Sequence, residues 1–260
     1  SAQRTLRMLN AARAAGVRDF KRIPKWKGCT NLARNMKRNK AKNSFWPDTY
    51  VFSCPVWNRK KNGIVKEDVA VWLPAEILEM LWTLGDPNIL LSTANMDAHT
   101  KAHHRKVAED LGLSSLWGVA LHGDGVPNNY DRTESSMILS LSLPGVGGKW
   151  ARMRRPLAVL PSQKICDETL DAVLEVFAWS FRHSAAGARP AERHDRKAGE
   201  SPWRASAADR KRAASFEASS TLPFNATLVE VRGDWEFYSK VLHFPYHSEL
   251  DGICWLCNCR

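Results

Sequence analysis

With 260 residues, 44% of them hydrophobic and 25% charged, the chain can bury one sizeable core or two small ones and is expected to be globular. No apolar run approaches the roughly eighteen residues of a membrane span, and no charged-then-apolar leader precedes the first element, so membrane-spanning and secretory classes are excluded from the expectation. The net charge of +11 sits at one end: residues 1 to 66 carry 17 Lys and Arg against Asp19 and Asp48 alone, and the remainder carries 21 against 25.

The first predicted element is a short helix, "RTLRMLNAARAAG", closed by Gly16. The basic stretch that follows, "FKRIPKWKGC" to "RNKAKNSFW", interleaves aromatics with cations. Lys21, Arg22, Lys25, Lys27, Arg34, Lys37, Arg38, Lys40 and Lys42 form an electrostatic footprint suited to a polyanion, because each neutralised phosphate releases condensed counterions. DNA is the expected partner, with the aromatics available for stacking; a solvated tail is the plain alternative. The region up to the next helix reads as basic, irregular and rich in breakers. That helix, "LPAEILEMLWTLG", puts Ile77, Leu78, Leu81 and Trp82 on one face and stops at Gly85. A third, "DAHTKAHHRKVAEDLG", carries His99 and His103 four residues apart, a spacing that can bind metal but here, without an acidic partner, reads as a solvated face.

From residue 115 the pattern becomes that of an α/β unit. "SLWGVALHGDGV", "SSMILSLSLP" and "KWARMRRPLAVLP" read as three antiparallel strands. "CDETLDAVLEVFAWSFRHSAAG" follows as a strong helix, with Leu170, Val173, Leu174, Phe177 and Phe181 along its face and Gly187 after its end. Residues 185–220, charged and without periodicity, read as a flexible insertion. "ATLVEVRGD" is the fourth strand and "WEFYSKVLHF" a short helix. The expected organisation is a basic, partly helical region over 1–114 and a core over 115–260.

Each of two strands thus ends in an aspartate beside glycine: Asp124 in "HGDGVP" and Asp234 in "RGDWEFY". Taken singly, either acid is more simply a turn or cap residue, and Asp234 is well placed to N-cap the helix after it. Among the cysteines, Cys29, Cys54 and Cys166 lack paired spacing and read as buried apolar residues of a reducing compartment. In "CWLCNC", Cys254 and Cys257 have the gap that lets two thiolates reach one zinc ion, with Cys259, His247 or His243 to add ligands; the same loop can exist without metal. "PGVGGKW" fails the phosphate-loop pattern, and no Gly-x-Ser-x-Gly elbow occurs.

The order of three strands, helix and strand, with acids at the first and fourth strand ends, resembles the ribonuclease H-like core of DDE/D transposases, nucleases and integrases. "HGDGVP" followed by "RGDWEFYSKVLHF" and "CWLCNC" is similar to transposase-derived proteins of protist repeat elements and, more distantly, to CACTA-type transposases. The resemblance covers residues 115 to 260 and implies that the first and fourth strands lie side by side and that Asp124 and Asp234 hold Mg²⁺ for phosphodiester cleavage and strand transfer. It implies a nuclear or other reducing intracellular setting and a zinc knuckle over 254–259. The third acid of the family pattern, on a helix well downstream of the second, has no counterpart before Arg260. Together with a start at Ser1, this makes the chain read as a fragment, inactive or nearly so. A non-catalytic nucleic-acid-binding protein, in which the acids merely cap turns, is the competing expectation. Nothing in the pattern fixes an oligomeric state.

Overall fold

The computed structural model describes residues 46–127, 134–148 and 153–242, and by internal packing divides the chain into units at 1–47 and 48–260. The expected helix ending at Gly16, the nine basic residues from Lys21 to Lys42 and the cysteine stretch 254–259 lie outside the described residues.

The larger unit begins with a β-hairpin where an irregular stretch was expected. Strand β1 (Tyr50–Asn58) pairs antiparallel with β2 (Gly63–Val71), Asn58 opposite Gly63. Alternation drives it: Tyr50, Phe52, Cys54 and Val56 are buried while Val51 and Ser53 face out. Asn62, with φ 46°, takes the left-handed conformation that the Asn-Gly pair tolerates in hairpin loops. The hairpin is tied to the main sheet by the Trp72 amide, which donates to the Leu157 carbonyl at 2.7 Å.

Helix α1 (Pro74–Leu84) matches its expected face, with Ile77, Leu78 and Leu81 buried. It ends where Gly85 must be small: a Cβ there would come within 2.9 Å of the Leu81 carbonyl oxygen. A single turn, α2 (Pro87–Leu90), leads to α3 (Ala98–Asp110), capped by Asp97 and buried only at Thr100. His99 and His103 are both exposed, as the solvated-face reading requires.

The main sheet is mixed and four-stranded. Strands β3 (Trp117–Pro127), β4 (Ser135–Ser142) and β5 (Arg155–Pro161) run antiparallel to their neighbours, and β6 (Ala226–Gly233) lies on the other side of β3, parallel to it. The strand order is therefore β5-β4-β3-β6. The long connection from β5 to β6 carries α4 (Asp167–Ala185), as parallel neighbours require a crossover. Its buried face includes Leu170, Val173, Val176, Phe177, Trp179 and Ser180; Leu174, expected in that stripe, is only half-buried. Full burial of side chains such as Val173 and Phe177 stabilises by ~1.5–3 kcal/mol each. A final helix, α6 (Trp235–Leu242), follows β6 directly.

The insertion between α4 and β6 departs most from expectation. It contains α5 (Ala207–Ala218) and docks through charge. Arg193 and Asp209, each only 3% exposed at the side chain, pair at 2.9 Å, and Arg212 bridges Asp209 and Glu76. Arg193 also donates to the Val51 carbonyl and stacks 4.2 Å from the Tyr50 ring. These contacts join the insertion to β1 and α1. The boundary expected at residue 114 therefore moves: 48–114 packs with the core.

Candidate functional site: acids on adjacent strands beside a cleft

Parallel pairing of β3 with β6 sets Gly123 opposite Gly233, so Asp124 and Asp234 are the next residues on adjacent chains. Neighbouring strands run ~4.8 Å apart. A bulge in β6, where Leu228 and Glu230 oppose successive β3 residues, establishes this register. The two acids differ in environment. Asp124 lies within a strand, opposite Ile138, rather than in the turn its flanking glycines suggest. Its carboxylate accepts no hydrogen bond from any described residue. Asp234 is the cap of α6: its Oδ1 accepts from the Phe237 amide at 2.7 Å, and its carbonyl accepts from the Tyr238 amide at 3.1 Å. One carboxylate oxygen of Asp234 remains outside that cap.

The glycines beside the acids serve packing: a Cβ at either Gly123 or Gly233 would overlap the Phe237 ring, which is fully buried. Both are therefore packing glycines that let α6 lie against the ends of β3 and β6. Gly125, by contrast, opens onto free space.

Side chains alternate along a strand, so Asp124 faces away from Phe237, on the side shared by His122 and Val126. Those three line a cleft of about 320 Å³ with Ile138 and Ser140 of β4 and Arg154 and Pro156 at the start of β5. Arg154 donates from Nη1 to Nδ1 of His122 at 3.2 Å. A guanidinium can only donate, so Nδ1 is the acceptor and the neutral imidazole carries its proton on Nε2. Burial, and then the Arg154 charge, hold this imidazole below its usual pKa; the carboxylates of Asp124 and Asp234 pull the other way, and Arg232 adds to the lowering. Both acids thus act on the same ring. Arg232, beside His122 in register, is neutralised by a two-pronged pair with Glu230, Nη2 to Oε2 at 2.7 Å. Arg154 is exposed and has no carboxylate partner among the described residues. Sequence reading missed His122 and Arg154; the signal available was His122 two residues before Asp124, hence on its face.

The donor set is two hard carboxylates on adjacent strands, a type that suits Mg²⁺, an ion that takes few protein oxygens and keeps several waters. No cluster of three or more His, Cys, Asp or Glu that could hold a metal occurs among the described residues. Cys54 is buried, and burial pushes its thiol up to about 11, which makes it unreactive. Among the described residues no helix is long and apolar enough to cross a membrane. No family model, no curated protein and no solved structure matches the chain.

Proposed function

We propose that residues 48–260 carry a ribonuclease H-like core of transposase-derived type that binds DNA and uses Asp124 and Asp234 as ligands of Mg²⁺ for phosphodiester cleavage. The observation that supports it is the register Gly123 to Gly233, which sets Asp124 inside β3 and Asp234 at the end of β6 as the next residues on adjacent parallel strands, although about a hundred residues of sequence separate them. Helix caps and turn residues have no need of that coincidence. In this reading Asp124, free of protein hydrogen bonds among the described residues, would hold Mg²⁺ together with the Asp234 oxygen that the cap leaves over. Mg²⁺ held there would supply activation of an attacking oxygen and charge stabilisation for a leaving one. The chain itself orients the carboxylates: β3 fixes Asp124 through its ladder with β4, and α6 fixes Asp234 through the Phe237 amide. With two carboxylates, Mg²⁺ affinity is weak and cleavage slow. The basic segment from Lys21 to Lys42 grips DNA, and Cys254, Cys257 and Cys259 hold a zinc ion that stabilises the C-terminal stretch.

One observation favours a second reading. Asp234 caps α6, so a non-catalytic nucleic-acid-binding protein accounts for that residue without a metal. Mn²⁺, a paramagnetic stand-in for Mg²⁺, separates the two. On the catalytic reading it broadens the amide resonances of Gly123, Gly125 and Gly233, Asp124→Asn abolishes the broadening, and supercoiled plasmid is nicked slowly in Mg²⁺. Broadening and nicking unaffected by both Asp124→Asn and Asp234→Asn exclude this site.

A further inference from the structure

The cleft beside Asp124 contains a cation, Arg154, with no carboxylate partner among the described residues. We infer that Arg154, aimed by His122, is the anchor for a nucleic-acid phosphate seated next to Asp124, a proposal that rests on the reading above for what Asp124 does but not for the phosphate contact itself. Three observations support it.

The first is the pairing pattern. Arg154 and Asp124 line one cleft, yet the guanidinium is turned to the imidazole of His122 at 3.2 Å and forms no ion pair with the carboxylate within 4.0 Å. A solvent-facing Arg that spends a single N–H on a ring nitrogen keeps its other donors, in a fork that matches two phosphate oxygens. The second is the contrast with the neighbouring cation: Arg232 is already satisfied by Glu230 on both prongs. The third is the shape and lining of the cleft. Val126, Ile138 and Pro156 supply apolar lining, and the Nε2–H of His122 is a neutral donor able to serve an oxyanion, whereas the Ser140 hydroxyl already donates to the His122 carbonyl at 3.5 Å. An anion at Arg154 therefore shares its cleft with the His122 imidazole and with Asp124.

The test uses the full chain and a fluorescein-labelled 20-base-pair duplex, with binding followed by anisotropy from 50 to 300 mM salt in EDTA, so that no metal enters. Arg154 is exposed, so Arg154→Gln leaves the fold intact. The expected result is a slope of log K against log salt shallower by ~0.9, the signature of one lost phosphate contact. Arg105→Gln, an equally exposed site on α3, serves as control and leaves the slope unchanged. Asp124→Asn, which removes an anion beside the phosphate, tightens binding several-fold in the parent and has no effect in the Arg154→Gln background. Identical slopes for Arg154→Gln and Arg105→Gln, or an Asp124→Asn effect that is the same in both backgrounds, overturn the proposal. Its failure is distinguishable from failure of the metal reading: an altered slope with plasmid nicking indifferent to Asp124→Asn removes the metal site and keeps the phosphate site, and the converse does the opposite.

Discussion

At Asp234 one side chain serves a cap and, on our proposal, a metal, and substitutions can separate the two. Asn caps helices about as well as Asp, whereas Ala costs about 1 kcal/mol. Asp234→Asn should therefore leave the thermal midpoint nearly unchanged while removing Mn²⁺ broadening, and Asp234→Ala should lower the midpoint by a few degrees as well; equal midpoints for the two variants would show that the Phe237 amide does not depend on this cap. The neighbouring glycines allow a sharper contrast. Gly123→Ala forces a methyl into the Phe237 ring and, like other overpacking changes, should cost ~1–3 kcal/mol in urea unfolding, whereas Gly125→Ala, with open space around it, should change stability by less than ~1 kcal/mol, mainly through strand propensity. If the two variants unfold at the same urea midpoint, the packing role of Gly123 is wrong.

At the scale of elements, what the sequence revealed follows from how apolar groups repeat. The three antiparallel strands, the helix over α4 and the strand beside β3 were all legible, because alternation and 3.6-residue spacing are written in hydrophobic side chains. The β1–β2 hairpin was equally written, in Tyr50, Phe52, Cys54 and Val56 and in the Asn62-Gly63 loop, but the surrounding lysines and arginines obscured it. The insertion was illegible for a different reason. Helix α5 buries only Asp209 and Arg212, so it has no apolar face to detect; its docking depends on which carboxylate meets which guanidinium, and spacing does not encode that. Removing one partner of such a buried pair leaves an uncompensated charge, and Asp209→Ala should cost ~3–5 kcal/mol. Leu or Met at the same position, with the charge of Arg193 still buried, should do no better. The same contact region is sensitive to pH. Tyr50 is buried, which drives its hydroxyl far above its usual value; the phenol therefore stays protonated and donates to His194 Nδ1 at 2.6 Å. Burial is also the main cause that holds His194 below its ordinary pKa, ahead of the opposing pull of Asp195. The unfolded chain then takes up this proton first, near pH ~6.5, so the stability His194 contributes is present above that value and is lost as pH falls through its lower folded value. Thermal midpoints should fall between pH 7.5 and 5.5, and His194→Gln should flatten the fall; an unchanged slope would place the titrating group elsewhere, with His122 and His183, both also lowered, as the remaining groups.

Over the whole molecule, the packing boundary at 47/48 coincides with a charge boundary. Residues 1–47 hold 13 Lys and Arg against Asp19 alone, and residues 48–260 hold 25 against 26. The unit with the two acids is thus nearly neutral. If the proposed DNA binding holds, that unit attracts DNA only through local cations such as Arg154, and long-range attraction and most counterion release belong to the first 47 residues, which include all nine of the basic positions from Lys21 to Lys42. A chain starting at Asp48 keeps the hairpin, the sheet, the Asp48–Lys211 ion pair and the hydrogen bond from Arg212 to the Asp48 carbonyl, so it should unfold cooperatively with a midpoint close to that of the full chain. Its DNA affinity should collapse at 150 mM salt, and its salt slope should shrink to that of one or two phosphate contacts, ~0.9 to 2 in magnitude. If Arg154 is one of them, Arg154→Gln in the shortened chain should remove about half or more of what is left, a far larger fraction than in the full chain. A shortened chain that retains the full slope would instead move the DNA footprint onto the sheet-bearing unit, and the basic segment would revert to a solvated tail.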